Sequence, residues 1–230
     1  MHAVIMAGAR LETLPAADLL GPADLLVAAD HGADALLALG LVPHVLIGDM
    51  DSVTAETRAA LEARGVETVV LPVAKDETDL EMALRLVADR GAQRIDVFGA
   101  LGGPRLDHLL GAVFLLGAPW LHGRDVRLRH PRQDMWLVGG DTAVRGHSGD
   151  LVSLLPLAAM VEDVRTDGLL YPLRGERLLQ AASRGVSNQL GGEQARIRHG
   201  AGDLLVIHYH GGREAGSAPA ATSENIGGGL

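Results

Sequence analysis

Short runs of consecutive apolar residues recur through the first 130 positions: Ala3 to Ala7, Leu25 to Ala29, Val45 to Ile47, Val66 to Leu71, Ile95 to Phe98 and Val126 to Leu128. Runs this short, with little polar alternation, fit strands buried on both faces. Segments with helical spacing follow most of them, at roughly 11 to 20, 32 to 39, 54 to 64, 78 to 90 and 106 to 118. Strand alternating with helix predicts an α/β architecture, a parallel sheet with helices on both faces and right-handed connections. In such sheets ligands gather beyond the carboxyl ends of the strands. The polar and glycine residues cluster at those ends: Asp30-His31-Gly32, Gly48-Asp49 to Ser52, Lys75 to Asp79, and Gly99 to Asp107.

After about Pro131 the texture changes. Segments such as Met135 to Val138, Leu151 to Leu155 and Leu204 to Ile207 are separated by GGD, GHSGD, TDG, RGE and HGAGD. That is the spacing of strands and tight turns, and it predicts a second, all-β domain. The division expected is 1–131, α/β; 132–212, all-β; and 213–230 a small, polar, disordered tail with little to bury. No internal repeat is visible.

Composition narrows the classes. With 230 residues, 47% of them hydrophobic, the chain can fill one large or two modest cores. A net charge of -9 argues against a nucleic-acid or anionic-membrane surface, and a polyphosphate ligand would then arrive with metal ions. The absence of cysteine excludes disulfides and thiolate metal sites. MHAVIMAGARLETL does not read as a signal peptide, and no run of some 18 apolar residues could span a bilayer, so a cytoplasmic protein is expected. Aromatic residues make up only 3%, which makes the two tryptophans and two tyrosines the candidate stacking platforms.

The motifs then carry the chemistry. In HVLIGDMDSV, Asp49 and Asp51 stand two apart after an apolar run, so an extended chain would aim both carboxylates one way, about 6.5 to 7 Å apart. Two like charges held so close call for a cation. Gly-Asp-x-Asp-Ser is equally ordinary turn and capping chemistry. In KDETDLEMAL, Thr78 and Glu81 form a capping box that starts a helix, Asp76 and Asp79 gain from its dipole, and Lys75 reads either as a solvated charge or as a phosphate ligand. RIDVFGALGGPRLDHLLGA is a strand, a glycine-rich loop and a helix opening with Arg105, Asp107 and His108. Glycines, helix amides and an arginine fork suit phosphate, although the loop is neither a Walker loop nor G-x-G-x-x-G. Asp107 can also be a helix cap, and His108 a structural hydrogen-bonder.

In combination, ADHGADALLALGLVPHVLIGDMDSV, KDETDLEMAL, GALGGPRLDH, TDGLLYPL and GVSNQ, in order from about residue 28 to 207, strongly resemble the thiamin pyrophosphokinase family. The resemblance implies a Rossmann-like parallel-sheet N-terminal domain followed by a β-sandwich C-terminal domain, and a homodimer whose active site lies near the subunit interface. It implies transfer of pyrophosphate from ATP to thiamine with Mg²⁺, the metal-binding acids falling on Asp49, Asp51 and Asp79. Nucleotide and phosphate contacts fall around Lys75, Asp76, Thr78, Arg105 and Asp107, with Asp30 and His108 beside them. Ser187 and Asn188 fall on a Ser-Asn pair by the thiamine pocket. Arg105 and the metal would neutralise phosphoryl charge, and Asp107 or Asp30 would take the hydroxyl proton. Three residues depart from the pattern: His31 stands where a second glycine is common, Pro104 precedes Arg105, and no tryptophan follows Ser187-Asn188. Two other readings remain: a pyrophosphokinase for another hydroxymethyl heterocycle such as a pterin, and a nucleotide- or thiamine-binding regulator without turnover.

Overall fold

The computed structural model describes residues 1–8 and 20–211. The helix expected at 11 to 20, apart from Leu20, and the tail expected at 213–230 lie outside them. Six strands of the first part, β1 (His2–Met6), β2 (Leu25–Ala29), β3 (Val45–Gly48), β4 (Glu67–Val70), β5 (Arg94–Phe98) and β6 (Asp125–His130), pair in parallel in the order β4-β3-β2-β1-β5-β6. Strands added in sequence step away from β1 in one direction as far as β4 and in the other through β5 and β6. Order reverses beside β1, where a crevice opens at the carboxyl edge.

The apolar runs are buried on both faces. Ile5, Val27, Ile47 and Val97 face a core shared with helices α3 (Asp79–Asp89) and α4 (Leu106–Leu115). Their neighbours Val4, Met6, Ala28, Leu46 and Phe98 face a second core, with α1 (Gly32–Ala38) and α2 (Ala55–Glu62). Truncating one such leucine, for example Leu46, to alanine would cost about 2 to 5 kcal/mol.

The sheet does not stop where the helices do. A tight turn at Pro131-Arg132 pairs β6 with β7 (Gln133–Leu137) in antiparallel fashion. Strands β14 (Leu204–Tyr209), β9 (Leu151–Pro156) and β12 (Asn188–Gln189) then extend it to ten strands. A four-stranded antiparallel sheet, β11 (Arg174–Leu179), β10 (Met160–Asp167), β13 (Gln194–Arg198) and β8 (Thr142–Arg145), packs on this antiparallel half. Trp136, Val152, Leu154, Val161, Leu178 and Ile197 lie between the layers. The β-sandwich is therefore built partly from the sheet that begins in the α/β part, because a hairpin continues hydrogen bonding that a loop would have ended.

Candidate functional site

Four strand ends and two helix openings meet in a cleft of about 1080 Å³. Ala7 and Gly8 follow β1, Asp30 and His31 follow β2, Asp49, Asp51 and Ser52 follow β3, and Gly99 to Asp107 follow β5. Thr78 and Asp79 begin α3, and His108 lies in the first turn of α4. Asp30, Asp49, Asp51 and Asp79 enter it from the ends of β2 and β3 and the start of α3. Small or apolar side chains, Ala112, Phe114, Leu115 and Ala118 among them, enter from α4 and the residues after it.

Turn chemistry and a charged cleft coexist at Asp49. Its Oδ1 accepts the Asp51 N–H at 3.1 Å, a local bond that Met50 makes possible by adopting a φ of 67°. That N–H holds the Asp49 carboxyl below its ordinary range, whereas the Asp49 carboxylate beside it pushes Asp51 up. Lys75, which the sequence reads either as a solvated charge or as a phosphate ligand, lies outside the lining. Its ammonium stands 3.0 Å from Asp79 Oδ1 and 4.0 Å from Asp49 Oδ2, and it donates to Pro72 O. A protein cation thus bridges two of the acids. Asp76 is exposed and outside the lining as well.

Thr78 caps α3 as the sequence implies, its Oγ1 accepting the Glu81 N–H at 3.2 Å. The reciprocal half of the box is absent, because the Glu81 carboxylate turns to Arg85 one helical turn on. At α4 the cap position is Arg105, so Asp107 is not the cap. Arg105 grips Asp107 with two donors, Nε to Oδ1 at 2.9 Å and NH2 to Oδ2 at 2.5 Å. The pair is well exposed, and the guanidinium holds Asp107 far below the usual carboxylate range. An acid so committed is a poor proton acceptor. His31, at the start of α1, has a helical φ of -52°, which is why a side chain is accepted there.

Burial, then the facing Asp79 carboxyl, push Asp30 up from 3.8 to about 7. The neutral form is favoured by the fold, so the stability this group contributes is present below its unfolded pKa and is lost as pH rises through about 7. The ligand-free wild type should therefore lose melting temperature between pH 4 and 7 relative to Asp30→Asn, which is neutral throughout. Parallel melting-temperature profiles of the two proteins would refute this.

The residues present suit a hard divalent cation. The donors are carboxylate oxygens: Asp30 Oδ1 is buried without a hydrogen-bond partner, and Asp79 Oδ1, buried as well, has the Lys75 ammonium at 3.0 Å. Among the described residues no three acids converge closely enough to enclose an ion unaided, so ligand oxygens would complete the shell.

Ser187 and Asn188 are elsewhere. They sit at β12, the edge strand, eight inter-strand steps from β3, on the order of 38 Å at about 4.8 Å per step. Ser187 has a φ of 59° and donates its N–H to Ser153 Oγ. The Asn188 amide is consumed by the backbone of Tyr171, Nδ2 donating to its carbonyl at 2.6 Å and Oδ1 accepting its N–H at 3.0 Å. What this clamp presents is Tyr171 itself, 64% exposed. The sequence flagged its rarity as a tyrosine but not its role.

Two family models match: "Thiamin pyrophosphokinase, catalytic domain" over residues 16–128 and "Thiamin pyrophosphokinase, vitamin B1 binding domain" over 142–202. The thiamine pyrophosphokinase of Bacillus subtilis (strain 168) is 28% identical over 208 residues, 88% of this chain and 96% of that protein. A crystal structure of the Bacillus subtilis enzyme superposes with a TM-score of 0.83 at 25% identity, covering 92% of this chain and 100% of that one. The Geobacillus thermodenitrificans enzyme gives 0.81 at 28%, covering 92% and 99%.

Proposed function

The chain belongs to the thiamin pyrophosphokinase family, enzymes that make thiamine diphosphate from thiamine, and we propose that it draws the diphosphate from ATP bound with Mg²⁺ in the strand-end cleft. The observation that carries this is a single cleft lined both by four aspartates from β2, β3 and α3 and by small and apolar side chains from α4, which suits a metal-bound triphosphate joined to a flat base. Asp49, Asp51 and Asp79 are the residues that would hold the metal, with phosphate oxygens as its remaining ligands. When bound, Mg²⁺ supplies charge neutralisation at the phosphoryl oxygens. Lys75, now bridging Asp79 and Asp49, is placed to shift toward a phosphate once a divalent cation takes those acids. Arg105 can exchange Asp107 for a phosphate fork, and the start of α4 adds backbone amides. The thiamine hydroxyl oxygen bonds to the β-phosphorus, the bridge between α- and β-phosphates breaks, AMP departs with the bridging oxygen, and the hydroxyl proton passes to water.

The thiamine half of the site is read at Tyr171, with Ser187 beside it. An exposed ring on a clamped backbone suits a cationic heterocycle, a contact worth about 0.5 to 2 kcal/mol. Since these residues lie far from their own chain's cleft, the reading requires a second copy to bring them there. Leu106, Leu110 and Phe114 form an exposed apolar stripe along α4, 51% to 71% exposed, and Phe114 also lines the cleft. Leu170, next to Tyr171 in the chain, and Val186, next to Ser187, are exposed too. Stripe against patch is a self-complementary contact for a symmetric dimer. No helix among the described residues is long and apolar enough to cross a membrane.

The test is AMP release from ATP with thiamine, with a hydroxymethyl pterin, and with no acceptor. Release with thiamine that falls to background in excess EDTA is expected. Preference for the pterin would favour that acceptor, binding without release would favour a regulator, and undiminished turnover in EDTA would remove the metal from the reading.

A further inference from the structure

Asp30 is held in the cleft under constraint. Its φ of 50° lies in the left-handed region, which a non-glycine side chain enters at a cost. Its N–H donates across to Ile47 O at 3.1 Å, and its Oδ1 is buried without a hydrogen-bond partner. The space that Oδ1 fills is the space a side chain on Gly48 would need. A Cβ at Gly48 would stand 2.0 Å from Asp30 Oδ1 and 3.0 Å from its Cγ, and the third nearest atom is also Asp30's. Carbon and oxygen cannot share that distance. The three atoms nearest to that position thus all belong to Asp30, and the sharpest conflict is with its carboxyl, which in turn faces Asp79.

We infer that Gly48 is a positioning residue: by leaving out a side chain it seats the Asp30 carboxyl against Asp79, and so sets where Asp79 and Asp49 present their oxygens to a metal–nucleotide complex. This rests on the proposed function of the cleft, and it goes beyond that reading by assigning the glycine of the Gly-Asp-x-Asp motif a steric role in binding. A turn glycine would be valued for its backbone freedom alone. Here the φ of 155° and the Asp30 contact are two separable demands.

Three variants separate them: Gly48→Ala, Asp30→Gly, and the two combined. Glycine suits the φ at position 30 and removes the group that the new methyl would strike. The readout is calorimetric binding of Mn²⁺ with ADP, without thiamine, together with melting temperature. Gly48→Ala and Asp30→Gly should each weaken binding about tenfold or more, the range typical of losing a partner that orients a metal ligand. The double variant should bind no worse than Asp30→Gly alone and should recover melting temperature lost in Gly48→Ala. If Gly48→Ala binds as wild type does, or the double variant loses the product of the two single losses, the inference is overturned. Should Gly48→Ala fail to fold, a folded double variant supports the inference and an unfolded one overturns it, since backbone strain at position 48 would then be the whole effect. Wild type that binds Mn²⁺ and ADP yet transfers nothing to thiamine would sink the proposed function and leave this inference standing.

Discussion

Asp49→Asn, Asp51→Asn and Asp79→Asn should each lower AMP release from ATP and thiamine by roughly 100-fold or more, the usual consequence of removing one electrostatic stabiliser from a phosphoryl-transfer site. The fold should not suffer with the rate. Asparagine at 49 keeps the oxygen that accepts the Asp51 N–H, so the turn is retained, and one negative charge fewer relieves the repulsion that raises Asp51 and Asp30. Melting temperature should rise in Asp51→Asn and stay near level in Asp49→Asn, where the charge removed is one that the Asp51 N–H favours. Asp79→Asn should gain least, because it forfeits the 3.0 Å ion pair with Lys75 and a charge in the first turn of α3. Glu81→Gln is the control. It lies in the same cleft, but its carboxylate serves Arg85, a pair worth a few tenths of a kcal/mol, so near-normal turnover is expected. Loss of melting temperature with near-normal AMP release in the three aspartate variants would show that the motif serves only the turn.

The α/β half was legible because its strands are buried on both faces: an uninterrupted run such as Val45 to Ile47 has little else to be, and all six strands begin within a residue of the runs. The rule that places ligands at carboxyl ends then brought Asp30, Asp49, Asp51, Asp79 and Arg105 to one cleft without any knowledge of side-chain conformation. The β half was harder. Strand β10 alternates Val161, Val164 and Thr166 inward with Glu162, Arg165 and Asp167 outward, with a bulge between, so no apolar run announces it. Nor could spacing show which charged groups choose one another. Arg105 is two residues from Asp107 and takes it, Glu81 prefers Arg85 to the backbone of Thr78, and Lys75 turns toward Asp79. Those preferences are decided by reach and rotamer. The continuity of the ten-stranded sheet was equally hidden, since a hairpin at Pro131-Arg132 and a domain linker look alike in sequence.

The distance between the two halves of the proposed site leads to the second large effect. Asp49→Asn disables the acidic cleft, and Tyr171→Lys replaces an exposed ring with a cation that repels thiamine's own positive charge; each homogeneous protein should retain about 1% of wild-type activity or less. Tyr171 is exposed and its backbone is held by Asn188, so the substitution should leave the fold unchanged. When the two chains are co-expressed under different tags and assort freely, half of the dimers carry one of each. A mixed dimer has two composite sites. One joins the intact cleft of the lysine chain to the intact Tyr171 of the asparagine chain, and the other joins two damaged halves. The mixture should therefore recover roughly a quarter of wild-type activity, and doubly tagged dimers isolated from it roughly half. That recovery, more than tenfold above either parent, cannot arise if each chain uses its own Tyr171, because every site would then contain a damaged half. Activity in the doubly tagged dimers no higher than the mean of the two parents would show that cleft and aromatic platform do not meet across a subunit boundary, and that the thiamine half of the site has been read at the wrong end of the sheet.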